Sequence, residues 1–269
     1  MRCLIIVLLS SMLSGCFGFS FWFERLDTLA LWRLGTMFDL SDEQEDMVQP
    51  VLVELREALR QDTLPDIIQR LESVDRLWQQ DQMEDALVSL EMGTEAVIAR
   101  FLEYSWPKVA PLLAHLTAEN AQAYMDYGEE KIEDWFDQTL SDEAKREDRI
   151  ERLEDWFGDL SDGQIAVITE HTYLLPGERD IRVQNSRQRR HRFMSLVLDN
   201  EMDTLEILYK YPHHAQTPEY QLWRTEERAQ IHRCLMTLFP TLTVKQRQHA
   251  SRYLRDWIDE LRNVKPALT

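Results

Sequence analysis

Phe38-Asp39-Leu40-Ser41-Asp42-Glu43-Gln44 sets a leucine, a small hydroxyl residue and, three positions later, a glutamine at the head of an apolar-periodic segment. A Ser or Thr oxygen there accepts the exposed N–H groups of a new helix. The Gln side chain answers to the cap's own N–H, and the preceding Leu acts as a hydrophobic staple. The unit returns as Leu160-Ser161-Asp162-Gly163-Gln164 and as Leu242-Thr243-Val244-Lys245-Gln246, with degenerate copies at Leu116 to Asn120 and Leu140 to Ala144. Asp42, Glu43 and Asp142 suit the positive end of a helix dipole. The units are helix starts first, and recognition motifs as the competing reading.

Outward from these starts, helical periodicity continues. Met47, Val48, Val51, Leu52, Leu55 and Leu59 form one stripe, with Pro50 expected to kink it, and Leu64, Ile67, Ile68, Leu71, Val74, Leu77 and Trp78 form the next. A third, from Leu87 to Leu102, is expected to stop at Trp106-Pro107, with Pro111 in a short connecting turn. Only 8 Gly and 9 Pro punctuate 269 residues, and period-two alternation is nearly absent. The expectation is an all-α, irregular bundle of nine or ten helices with no sheet. A second echo, Ile132-Glu133-Asp134-Trp135-Phe136 and Leu153-Glu154-Asp155-Trp156-Phe157, places aromatic pairs ahead of two of the units. Such pairs fill bundle corners.

The chain carries 48 acidic and 30 basic residues, a formal charge of -18. That balance repels nucleic acid and anionic head groups in bulk, so nucleic acid is not an expected partner. Against it stands one basic stripe, Arg179, Arg182, Arg187, Arg189, Arg190 and Arg192. Either the stripe pairs with acidic helices between Asp126 and Asp162, or Arg182, Arg189 and Arg192 meet an anionic ligand or partner, since guanidinium forks suit carboxylate and phosphate. No two of the seven histidines stand at the i, i+4 spacing of a helical metal site. His213-His214, in a Pro-bounded loop, is the one pair in reach of a metal. No Gly-rich phosphate loop, nucleophile elbow or paired-Cys motif occurs, so no cofactor, no metal site and no catalytic residue is expected. Cys234, in an amphipathic helical context, reads as a buried, inert thiol.

The N-terminus is of another kind. Met1-Arg2 precedes an apolar run too short to span a bilayer, closed by Leu13-Ser14-Gly15-Cys16. The tetrapeptide resembles the lipobox of bacterial lipoproteins, which implies removal of residues 1–15, a diacylglycerol on the Cys16 thiol and a membrane anchored through it. Phe17 to Phe23 reads Phe-Gly-Phe-Ser-Phe-Trp-Phe, residues that favour a membrane interface or a hydrophobic docking site. The expected organisation is a signal peptide over 1–15, a lipidated aromatic segment over 16–35, and one helical domain over 36–265 or two lobes meeting near residue 140.

The lipobox, Leu26-Asp27-x-x-Ala30-Leu31-Trp32, Asp39-Leu40-Ser41-x-x-Gln44 and Trp156-Phe157-Gly158-x-Leu160-Ser161-x-x-Gln164 together resemble a helical bacterial lipoprotein family of unknown function. The Leu-Ser/Thr-x-x-Gln units are also similar to those of the Spy and CpxP periplasmic proteins, which implies a holdase as the alternative function. The first resemblance implies a non-enzymatic binding or scaffolding protein on the periplasmic face of the outer membrane, partnered by another envelope protein.

Overall fold

The computed structural model describes residues 18–136 and 141–264. The segment read as a signal peptide (1–15), Cys16, Phe17 and Leu140 lie outside them. The protein is 86% helical, with no strand among the described residues, as the all-α reading requires. Helices are α1 Phe19–Phe23, α2 Leu26–Phe38, α3 Asp42–Ala58, α4 Leu64–Gln79, α5 Met83–Leu113, α6 Ala118–Phe136, α7 Asp142–Phe157, α8 Asp162–Glu170, α9 Glu178–Leu198, α10 Met202–Lys210, α11 Pro218–Leu238 and α12 Val244–Arg262. Apart from the five-residue α1, that is eleven helices of nine residues or more, close to the nine or ten expected.

Local chemistry explains most boundaries. Ser41, Ser161 and Thr243 each cap a helix through a complete capping box, and Ser141 accepts from the Ala144 N–H without the reciprocal bond. Two helix ends that precede these starts carry positive φ, at Asp39 (48°) and Gly158 (73°). Gly158 pairs its φ with a ψ of -161°, a region open essentially to glycine alone.

Pro107 and Pro111 behave differently from expectation: α5 runs unbroken through both, while α3, as its stripe implied, continues through Pro50. Packing holds α5: Leu102 and Trp106 are buried, and Ala110 and Leu113 join the cluster around Phe38. Burying a Trp and several aliphatic side chains outweighs the roughly 3 kcal/mol that an interior proline costs. Between α3 and α4 the chain stays helical but widens into one π turn, Leu59–Thr63, just ahead of Pro65. Pro65 has no N–H to give to the preceding turn, so the ladder changes register there.

The core is assembled from residues far apart in the chain. Phe38, Trp106, Ala121, Met194, Val197 and Leu205 form one cluster, with Phe38 stacked on Tyr124 at 4.6 Å. Phe157, Leu238, Phe239, Leu242 and Ala250 form a second, and Trp78 of α4 stacks on Phe157 at 5.9 Å. α4 packs on both α5 and α12, α2 on α3 and α6, and α9 on α6, α10 and α11. Phe23, Leu64, Leu261 and Val264 make a third cluster, which Phe19 and Leu26 join. Of the aromatic segment's two possible destinations, Phe19 and Phe23 thus occupy the docking site, on the protein's own last helix.

Candidate functional site

The recurring units do more than start helices, because they close on one another in two pairs. Ser41 N–H donates to Gln44 Oε1 (3.0 Å) and Gln44 N–H to Ser41 Oγ (3.3 Å). The Gln44 Nε2 then donates to the His115 carbonyl (2.8 Å) and to Asn120 Oδ1 (2.7 Å). Asn120 stands three residues after the cap Thr117, whose N–H it accepts at 2.9 Å. Its Nδ2 donates back to the carbonyls of Phe38 (2.8 Å) and Asp39 (3.2 Å). The copy at Leu116, degenerate in sequence, is therefore a working unit with Asn in place of Gln.

The second pair repeats the pattern. Gln164 Nε2 donates to the Thr241 carbonyl (3.1 Å) and to Gln246 Oε1 (3.0 Å), while Gln246 Nε2 donates to the Asp159 carbonyl (2.9 Å) and to Gln164 Oε1 (2.8 Å). In all four units the amide reaches a carbonyl two residues ahead of the partner's cap, at His115, Asp39, Thr241 and Asp159. The paired amides are 76 and 82 residues apart. Asn120, Gln164 and Gln246 are buried, and the amide groups are committed to these bonds, which satisfies the polar groups that burial would otherwise strand. The units thus join helix starts across the protein.

The arginine stripe lies on α9 and its members have different partners. Arg187 forks onto Glu129 of α6, with Nε donating to Oε2 at 2.9 Å, and Arg190 Nη2 donates to the same carboxylate at 2.9 Å. The hydrogen bond from Arg187 holds the Glu129 carboxyl below its ordinary range, with Arg190 adding to it. Arg190 is buried and sits against Gly128, the residue before Glu129. Arg182 lies over the rings of Trp135 (4.7 Å) and Trp223 (5.6 Å) and donates to Glu178 of its own helix at 3.4 Å. Arg192 donates to the His214 carbonyl at 2.9 Å. Arg189 has its Nε buried without a hydrogen-bond partner among the described residues.

At 100° per residue, Arg182 and Arg189 share one side of α9. A groove of about 420 Å³ runs along the other side, lined by Asp180, Val183, Gln184, Arg187 and Gln188. None of Arg182, Arg189 and Arg192 lines that groove. Glu129 lies within the acidic span, Asp126 to Asp162, that sequence reading offered as the stripe's partner, though the sequence did not single it out as the shared acceptor. Its signal was available only in part, as one acidic residue among many on α6.

A buried polar cluster lies elsewhere. Arg149 Nη1 donates to the His171 carbonyl (3.1 Å), Thr172 Oγ1 (3.0 Å) and Gln230 Oε1 (3.4 Å), tying α7 to the loop after α8 and to α11. Burial pulls the Arg149 guanidinium down from its ordinary value. Beside it Cys234, 1% exposed, has its thiol pushed up by burial, with Arg149 acting in the opposite sense. A neutral, enclosed thiol is a poor nucleophile. Native protein is expected to resist thiol reagents and to react at Cys234 only on denaturation, which mass mapping of the labelled peptide checks; rapid native labelling would show that α11 opens locally.

The rings of His213 and His214 meet edge to face, 4.2 Å between centres, beside Tyr211. No group of three or more His, Cys, Asp or Glu among the described residues is placed to hold a metal ion.

Comparison with curated proteins and with solved structures finds no match. A family model described as a family of unknown function, DUF6279, matches residues 36–228, a span that takes in three of the four paired units and the whole of α9. The chain belongs to the DUF6279 family of unknown function.

Proposed function

We propose that this protein is a lipid-anchored component of a bacterial envelope, held on the periplasmic face of the outer membrane, with a non-enzymatic role in binding or scaffolding another envelope protein. The observation that carries the reading is Leu13-Ser14-Gly15-Cys16 at the end of a short apolar run behind a charged tip. No helix among the described residues is long and apolar enough to cross a membrane, so attachment in this reading falls to the lipid on Cys16. Phe17, next after the acylated cysteine, stands where an Asp would favour inner-membrane retention, which supports the outer membrane. The amides of the paired units are engaged in holding this chain's own helices together, so in this reading a partner meets other surfaces. A Spy-like holdase would have to use other surfaces.

Cys16→Ser is expected to abolish acylation and leave the precursor unprocessed, because lipidation precedes cleavage at a lipobox. Fatty-acid labelling of the mutant at the wild-type level would overturn the anchor. Fractionation of the wild-type protein with inner-membrane markers would overturn the outer-membrane placement.

A further inference from the structure

The first described residues are latched to the last helix. Phe19 N–H donates to Glu260 Oε2 of α12 at 3.1 Å, and Phe19, Phe23 and Leu26 pack with Leu261 and Val264. Cys16 is two residues ahead of Gly18, a reach of about 7 Å even when fully extended. A lipid on that thiol is therefore tied to the body of the protein at short range.

What the body presents beside the latch is a two-faced segment. At 100° per residue, Leu26, Ala30, Leu34, Met37 and Phe38 of α2 share one side, and Leu26, Leu34, Met37 and Phe38 enter the core clusters. Arg33 stands at the edge of this packed side, toward Tyr127 of α6, while Thr28, Leu29, Trp32 and Thr36 fall on the other, with Arg25 at its head. There Trp32 is 66% exposed, and Trp22, just ahead of α2, is 37% exposed.

The charges are sorted as well. Between residues 18 and 36 the only carboxylates are Glu24 and Asp27. Glu24 accepts both Nη groups of the buried Arg60, at 2.7 and 2.9 Å, and Asp27 accepts from Arg56 of α3. Arg25 lies over the Phe21 ring at 3.7 Å and Arg33 over Tyr127 at 5.1 Å. In a chain of formal charge -18, the outer face of α2 thus shows tryptophan and arginine and no carboxylate of its own, with Glu45 of α3 approaching at its edge, beside Gly35.

We propose that this face, formed by Trp22, Arg25, Thr28, Leu29 and Trp32, lies on the surface of the bilayer that holds the Cys16 lipid. The proposal rests on the lipid-anchor reading above and adds to it a fixed orientation. Tryptophan settles at the head-group level, where its ring is half in apolar and half in polar surroundings. Arginine beside it meets lipid phosphate, each basic side chain adding to the hold on an anionic surface. A single such contact is weak. It becomes persistent because the anchor, through the Glu260 latch, keeps the face within reach.

The test uses the full chain, processed and reconstituted in vesicles of phosphatidylethanolamine and phosphatidylglycerol. Thr28→Cys and, as a reference away from this face, Leu222→Cys are each labelled with a polarity-sensitive fluorophore. Both positions are exposed, Cys16 carries lipid, and buried Cys234 stays unlabelled in native protein. The probe at position 28 is expected to shift to the blue and to lose most of its intensity when brominated lipid is included, while the probe at 222 does neither. A probe at 28 that is as aqueous as the one at 222 overturns the proposal. So does one that is shielded but unquenched, which would mean that protein covers the face instead. Mass spectrometry of the same sample separates the two levels: unmodified Cys16 removes the anchor and this orientation together, whereas acylated Cys16 with an aqueous position 28 removes the orientation alone.

Discussion

Gln164→Ala is expected to destabilise the protein by about 2–4 kcal/mol, a fall of roughly 5–15 °C in Tm for a chain of this size. The magnitude follows from where the amide sits. Gln164 is 3% exposed, and its side chain accepts from the Ser161 N–H and donates to the Thr241 carbonyl and to Gln246. Truncation removes all of these at once and leaves the buried Gln246 amide without its partner. Removing only the cap hydroxyl, as in Ser161→Ala, should cost about 1 kcal/mol. The pairing also has its own signature. Gln246→Ala should be similarly costly, and the double mutant should be less destabilised than the two singles added, by on the order of 1 kcal/mol. Thermal unfolding of the four proteins measures this directly. Strict additivity would mean that the two units cap their own helices and nothing more.

Gly128→Ala is expected to cost about 2–4 kcal/mol, although the same exchange in an open helix interior gains close to 1 kcal/mol from propensity. Sterics decide between the two. A Cβ on Gly128 would stand 2.1 Å from Arg190 Nε and 2.4 Å from its Cδ, so the arginine must leave its place. In leaving, it gives up Glu129 and Ser186, and its guanidinium has been held in a buried setting. Gly163 is the control, since the nearest neighbour of an added Cβ there is 4.0 Å away; Gly163→Ala should be neutral or mildly stabilising. A second check removes the obstacle instead. With Arg190→Ala in the background, Gly128→Ala should lose most of its cost. If the cost stayed whole, the close approach of α6 and α9 would have another cause.

How far the protein can be read from its sequence differs by element, for physical reasons. Ser41, Ser161 and Thr243 are legible as caps because an N-cap is a local motif, complete within four residues. The helical class follows from the same locality. Thr117-Leu116 with Asn120 looks degenerate, yet Asn has the same amide as Gln with one methylene fewer, and the chemistry survives the substitution. Which unit meets which was not legible, since nothing within a four-residue motif encodes a partner 76 or 82 residues away. Pro107 and Pro111 misled for the converse reason: proline's cost is local and certain, while the burial of Trp106 that offsets it depends on α2, α9 and α10. The arginine stripe was visible as an anomaly of charge. That two of its members converge on Glu129 depends on Gly128 letting α6 and α9 approach, which a composition cannot express.

The latch between Phe19 and Glu260 spans 241 residues, and that separation sets an order of assembly. A chain that emerges from its N-terminus can pair Gln44 with Asn120 early. The Gln164 to Gln246 pair waits until the last helix has begun, and the seat for Phe19 is complete only when that helix is nearly finished. Contacts of such long range form late, after the loops they close have been organised. The first described residues thus find their place last of all, and a chain arrested anywhere before α12 would leave Phe19 and Phe23 without the seat that Glu260, Leu261 and Val264 complete.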